Sequence, residues 1–236
     1  MMTFIRLRVG LILSGGLLLA GCEEKTTESE RMYGVEFAQP FPIQSTDKAS
    51  FPVRHQGVYT AADSVTSLCI GPTAVWQQQL RKETVSRQQS DSTQHHYHLA
   101  ADSTYRDFEG KLHYLRLVGR DSVRDSWLWC DTIFALAGPN AGHLRKFQGR
   151  YYLNTPDENA AHWRVQRLEI AGHHLIWQTL GQDTLRLRAL DTATVRPHRS
   201  QSFSFFLLRP APGPQTRHVG DYAGLWETAG DFMRRR

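Results

Sequence analysis

The sequence is poor in cysteine and lysine, and it has no apolar run long enough to cross a bilayer. Three of its 236 residues are cysteine, too few for a disulfide-rich scaffold or a four-cysteine zinc site. The net charge of +5 comes mostly from arginine. Its one dense basic run is Arg234-Arg235-Arg236, typical of a solvated tail, so we expect no nucleic-acid partner. With 40% hydrophobic and 22% charged residues, the composition excludes a polytopic membrane protein, a collagen-like fibre and a wholly disordered chain.

Recognisable catalytic motifs are also missing. The sequence contains no Gly-x-Ser-x-Gly elbow, no His-Glu-x-x-His helix and no phosphate-binding glycine-rich loop. Serine, histidine and aspartate are so abundant that a Ser-His-Asp combination chosen from the sequence does not indicate a catalytic triad. We therefore expect no cofactor. The question of enzymatic activity stays open, with a non-enzymatic role favoured.

The first 22 residues have the features of an export signal. Arg6 and Arg8 precede an apolar stretch over residues 9–19, which is too short to span a bilayer stably. The motif Leu19-Ala20-Gly21-Cys22 follows and resembles the lipobox of bacterial lipoproteins. The resemblance implies that residues 1–21 are removed as a signal peptide. It also implies that Cys22 receives a diacylglycerol and a further acyl chain such as palmitate, which anchors the chain to a membrane.

The residues after Cys22 are acidic and polar over residues 23–30, which is typical of a flexible tether. We interpret residues 22–51 as this tether and an irregular, proline-containing lead-in. An acidic stretch here is similar to the export signals of surface lipoproteins in some Gram-negative bacteria. The expected location is the cell envelope, with lipid in the outer membrane. Whether the body faces the periplasm or the outside stays open.

The remaining sequence alternates apolar and polar residues with a period of two, which predicts β-strands. We predict an all-β fold, an antiparallel meander that forms an open β-barrel or a two-sheet sandwich. The β domain is expected over residues 52–210, with two related modules at about 52–143 and 144–210 as one option. A Pro-rich linker and C-terminal tail would occupy residues 211–236.

A second resemblance supports this fold class. The strand ending Asp131-Thr132-Ile133-Phe134, the segment at residues 144–154 and the strand Trp163-Arg164-Val165 resemble a stretch of uncharacterised β-rich envelope lipoproteins of Gram-negative bacteria. This resemblance covers residues 125–190. It implies a shared β fold and no active residues.

Several local predictions are specific enough to be tested. Alternation over residues 185–188 predicts a strand. The apolar–polar alternation changes phase between Trp163 and Ile170, which predicts a β-bulge near Gln166-Arg167. A short helix is predicted within residues 222–233. Eight Asp-Ser or Asp-Thr pairs are predicted to close turns.

Two cysteines and two histidines are the candidate site residues beyond Cys22. Export to an oxidising compartment favours a Cys69–Cys130 disulfide, and two buried free thiols on separate strands are the alternative. His96 and His98 are two residues apart, which puts both on one face if that segment is a strand. They are weak candidates for a metal site, and exposed loop histidines are the alternative.

Three functions are compatible with these features. The leading one is a membrane-anchored envelope lipoprotein that binds an unknown envelope protein through its surface. A lipocalin-like binder of a small apolar ligand is the first alternative, since inward-facing tryptophans could line a barrel cavity. An envelope hydrolase without a recognisable motif is the second. A surface-binding lipoprotein predicts an exposed apolar or aromatic patch, and a lipocalin-like binder predicts an apolar cavity that opens to solvent.

Overall fold

The computed structural model describes residues 33–89, 104–157, 161–191, 193–197, 204–222 and 224–235. They form strands and two short helices, α1 (Thr184–Arg188) and α2 (Pro214–Asp221), with a 3-10 turn at Val53–His55. The strands are β1 (Tyr33–Phe37), β2 (Gly57–Ala61), β3 (Thr66–Ile70), β4 (Ala74–Ser86), β5 (Thr104–Arg106), β6 (Leu112–Leu117), β7 (Ser122–Ala135), β8 (His143–Phe147), β9 (Arg150–Pro156), β10 (Trp163–Ala171), β11 (His174–Leu180), β12 (Ala193–Pro197), β13 (Ser204–Leu208) and β14 (Trp226–Arg234). Within these described ranges, no helix is both long and apolar enough to cross a membrane.

All fourteen strands belong to one connected sheet, which confirms the all-β prediction. The order is β12-β13-β1-β10-β11-β14-β2-β3-β4-β7-β6-β5, and β9 also pairs with β10 and carries β8. The sheet is open rather than closed into a barrel. Most neighbours are antiparallel, as predicted, but β1 and β13 run parallel, with Val35 opposite Phe206. A parallel pair needs a long connection, so local alternation could not reveal it.

The centre of this sheet is buried on both faces. Tyr152 and Val165 point into one core, which also contains Phe37, Phe206 and Trp226. Tyr151 and Leu153 on β9 and Leu168 on β10 point to the opposite face, into a second core. Leu175 on β11 and Phe232 on β14 also belong to this second core. A strand alternates its side chains between faces, so β9 and β10 serve both cores at once.

The predicted bulge at Gln166-Arg167 is wrong, and the two cores explain the pattern that suggested it. The pairing of β10 with β9 runs through both residues without a shift in register, and the pairing with β11 begins at Arg167 and is also regular. The apolar phase changes because Val165 packs in the first core and Leu168 in the second. The sequence signal was real, but its cause is burial on two sides.

The predicted domain boundaries also need correction. Residues placed in the lead-in are part of the fold: β1 lies between β13 and β10, and Phe41 and Phe51 are buried. The segment interpreted as a C-terminal tail supplies β14, which lies between β11 and β2. The helix predicted within residues 222–233 occurs earlier, as α2, and the described residues there are mainly strand.

The strand predicted over residues 185–188 is helix α1. Asp183 caps it, since its carboxylate accepts hydrogen bonds from the backbone N–H groups of Leu185 and Arg186. Leu187 is buried while Leu185 is exposed. In so short a segment, alternation also fits a single helical turn with one buried side chain.

Candidate functional site

Part of the sheet extends away from both cores. We call it the sheet extension: β5, β6, residues 79–86 of β4 and residues 122–129 of β7. Strands β4 and β7 pair from Ala74–Ala135 to Ser86–Ser122, longer than any other pair in the described sheet. Large apolar side chains on this extension and its turns stay exposed: Leu80, Phe108, Tyr114, Leu117, Val118 and Leu128.

One face of the sheet extension carries rings stacked across three strands. Tyr105 lies opposite His113, and His113 lies opposite Trp127. The centroids of the Tyr105 and His113 rings are 4.5 Å apart, and those of His113 and Trp127 are 5.1 Å apart, with both pairs nearly parallel. We call these three side chains the ring stack. Beside it, the Arg81 guanidinium lies 5.0 Å above the Trp129 ring, a cation–π contact.

Carboxylates hold the middle ring of this stack at its edges. His113 Nδ1 is 2.9 Å from Asp125 Oδ2, and the Tyr105 hydroxyl donates to the same oxygen at 2.6 Å. The other ring nitrogen is 3.5 Å from Asp107 Oδ2. Burial raises the pKa of Asp107, but hydrogen bonds from the backbone N–H groups of Lys111 and Glu109, together with the nearby His113 ring, outweigh it and lower that pKa. The ring stack is thereby fixed before any partner binds.

The opposite face presents an apolar patch. Leu80 on β4 and Leu128 on β7 lie directly opposite each other. Tyr114 on β6 is opposite Ser126, one diagonal step from Leu128 on the same face. Leu80 is 39% exposed, Leu128 48% and Tyr114 55%. We call these three side chains the outer patch.

The candidate cysteines lie on strands that are not neighbours. Cys69 on β3 is buried, and its thiol donates to Gln78 Oε1 at 3.3 Å, whereas Cys130 on β7 is exposed. Strand β4 lies between them. Strands are about 4.8 Å apart, so two strand spacings alone separate these Cα atoms by about 10 Å, beyond the reach of about 7 Å that a disulfide allows. Both thiols are free in this structure, and burial raises the pKa of the Cys69 thiol.

The other sequence candidates, Cys22, His96 and His98, lie outside the described residues. Sequence reasoning missed the ring stack, although one signal was available. An Asp-Ser turn was predicted at Asp121-Ser122, and a hairpin folded about residue 120 places His113 opposite Trp127.

A second candidate group lies at the start of β10, where Glu36, Asp157 and His162 offer metal-ligating atoms within 4.8 Å of one another. Sequence spacing could not group these three residues, because Glu36 precedes Asp157 and His162 by more than a hundred residues.

The chain matches no protein-family model, and neither curated proteins nor solved structures provide a match to it.

Proposed function

We propose that the protein is a non-enzymatic envelope lipoprotein, anchored through lipid on Cys22, that binds a partner protein with its sheet extension. The lipobox-like motif supports the anchor. The single observation that supports the binding role is the outer patch, three large side chains left exposed side by side on a preformed sheet.

The composition of the extension suits a protein partner. Aromatic and arginine side chains are enriched in the centres of protein interfaces and supply much of their binding energy. Tyr114 in the outer patch, and Trp127, Trp129 and Arg81 on the opposite face, are of these types. Because the ring stack and its carboxylates already fix this region, little conformational entropy is lost on binding.

The two alternatives draw less support from the geometry. A lipocalin-like cavity needs a sheet closed on itself, and this sheet runs from β12 at one end to β5 at the other. For a hydrolase, a serine–histidine contact would be the relevant observation. The rings of His55, His113, His143 and His174 instead hydrogen-bond to aspartate or to Tyr151.

Labelled palmitate tests the anchor. Cells that produce the full chain are expected to incorporate the label into the protein, and Cys22→Ala is expected to abolish incorporation and release the protein from membranes. Cys130→Ala is the matched control, since it removes an exposed thiol outside the motif. Equal labelling of the Cys22→Ala variant, or no labelling of the wild type, contradicts the anchor.

Site-specific crosslinking tests the binding surface. A photo-crosslinking residue at Tyr114 is expected to give a discrete adduct in intact cells, and Leu80→Glu with Leu128→Glu is expected to reduce it at least tenfold. The same residue at Leu185, 78% exposed on α1 and outside the extension, is the control. An adduct of equal yield at Leu185, or none at Tyr114, argues against the extension as the binding surface.

A further inference from the structure

Three side chains from adjacent strands converge beside β10. Glu36 is on β1, Asp157 directly follows β9 and His162 directly precedes β10. Strand β10 pairs with β9 on one side and with β1 on the other, so His162 lies between the two carboxylates. Their side chains are half-buried, with exposures of 17% for Glu36, 20% for Asp157 and 28% for His162.

Both carboxylates approach the same nitrogen of His162. Nδ1 is 3.4 Å from Glu36 Oε2 and 3.9 Å from Asp157 Oδ2. A single Nδ1–H cannot donate to two oxygens with good geometry, and both distances exceed those of strong charge-assisted hydrogen bonds, about 2.7–2.9 Å. Two carboxylate oxygens and one ring nitrogen within 4.8 Å of one another also suit the arrangement of ligands around a shared cation.

The two separations from His162 Nδ1 are close to those of a tetrahedral centre. Zinc bonds of about 2.0–2.2 Å at tetrahedral angles place ligand atoms about 3.3–3.5 Å apart. The separation of His162 Nδ1 from Glu36 Oε2 has this value, and that from Asp157 needs a movement of about half an ångström.

Local contacts orient Asp157 and His162. Asp157 Oδ1 accepts hydrogen bonds from the backbone N–H groups of Ala161 and His162, which leaves Oδ2 as the oxygen near the ring nitrogen. The ring of Phe205 packs against the His162 imidazole with 5.1 Å between centroids. These contacts place Asp157 Oδ2 and the His162 ring so that a small movement brings them to ligand spacing.

We propose that Glu36, Asp157 and His162 bind a divalent first-row transition-metal ion, with Zn²⁺ the ion that fits best. An imidazole nitrogen favours Zn²⁺ over Ca²⁺ and Mg²⁺, which prefer six or more oxygen ligands. Three protein ligands leave the fourth tetrahedral position to water or to a group from a bound molecule. This site is separate from the sheet extension and does not depend on the binding role proposed for it.

Metal titration of the full chain, purified in detergent and stripped with EDTA, tests the site. Calorimetry with ZnCl₂ is expected to give one ion per chain with a Kd of about 10 µM or tighter. Addition of CoCl₂ is expected to give the visible absorption of four-coordinate Co²⁺. Asp157→Asn and Glu36→Gln keep side-chain volume, and each is expected to weaken Zn²⁺ binding at least tenfold and to remove the Co²⁺ absorption. His162→Gln is expected to do the same.

Two controls locate the binding. His174→Gln removes a half-exposed histidine that hydrogen-bonds to Asp231, and it is expected to leave zinc binding unchanged. The double variant His96→Gln with His98→Gln removes the histidines predicted as weak candidates from the sequence. The proposal is overturned if the wild-type chain binds no stoichiometric Zn²⁺ at 100 µM, if the two isosteric carboxylate variants bind like the wild type, or if only the His96/His98 variant loses binding.

Discussion

Asn154 shows how one buried polar side chain joins distant segments. It is fully buried, accepts the Phe41 N–H at 2.6 Å and donates to the His143 carbonyl at 3.0 Å. Asn154→Ala leaves both backbone groups buried without this partner, so we expect a loss of about 2–4 kcal/mol in the free energy of unfolding. Urea denaturation measures it. Asn140→Ala, at an exposed turn, is the control and should stay within about 0.5 kcal/mol. Equal stability of both variants would contradict the role of Asn154.

His55 makes stability depend on pH. Burial lowers its pKa, and the positive charges of Lys146, Arg54 and Arg234 lower it further. The unfolded chain, with a histidine pKa near about 6.5, therefore binds more protons in mildly acidic solution than the folded chain. The contribution of neutral His55 is fully present above that value and is lost as the pH falls through the lower folded pKa.

The corresponding measurement is the free energy of unfolding at several pH values between 7.5 and 5. We expect His55→Gln to lose less stability on acidification than the wild type. A change at His173, exposed in the turn after β10, controls for the removal of one histidine. Parallel pH profiles for wild type and His55→Gln would show that this residue is not responsible.

At the scale of elements, the bend between β7 and β8 depends on a close backbone approach. A Cβ atom at Gly142 would collide with the Asn154 carbonyl oxygen and lie 2.5 Å from Phe134 Cε2. Because a backbone atom cannot move aside cheaply, we expect Gly142→Ala to destabilise the fold by about 1–3 kcal/mol. Thermal and urea unfolding check this value. Gly119→Ala is the control, since its Cβ would meet nothing within 4 Å, and it should be neutral or slightly stabilising.

Local patterns predicted most elements but not their neighbours. Glycine is typical of turns, and Gly172 adopts φ +60° between β10 and β11. Asp63 closes the β2–β3 turn by accepting from the Val65 and Thr66 N–H groups. Asp125 and Asp131, predicted to close turns as well, lie inside β7. Aspartate favours turns only where the chain also needs to reverse, and dipeptides do not carry that information.

For the whole molecule, the pairing order is what the sequence could not supply. The cross-strand pairs Val35–Phe206 and Phe232–Ala61 join segments about 170 residues apart. Period-two alternation predicts that a segment is a strand but does not indicate which strand pairs with it. The same limit hid the cluster of Glu36, Asp157 and His162. The fold class needs only local alternation, whereas the site needs the order of the strands.

The central position of β14 gives a test at this scale. Strand β14 bridges β11 and β2, and it contributes Trp226 to the first core and Phe232 to the second. A chain that ends at residue 223 leaves the edges of β11 and β2 unpaired and removes buried side chains from both cores. We therefore expect it to lose cooperative thermal unfolding, monitored by circular dichroism, and to aggregate. A chain that lacks only Arg236 retains every described pair of β14 and should unfold like the wild type. If the shorter chain kept a cooperative transition, residues 224–236 would be the dispensable tail that their composition suggests, and the two cores would not depend on one shared strand.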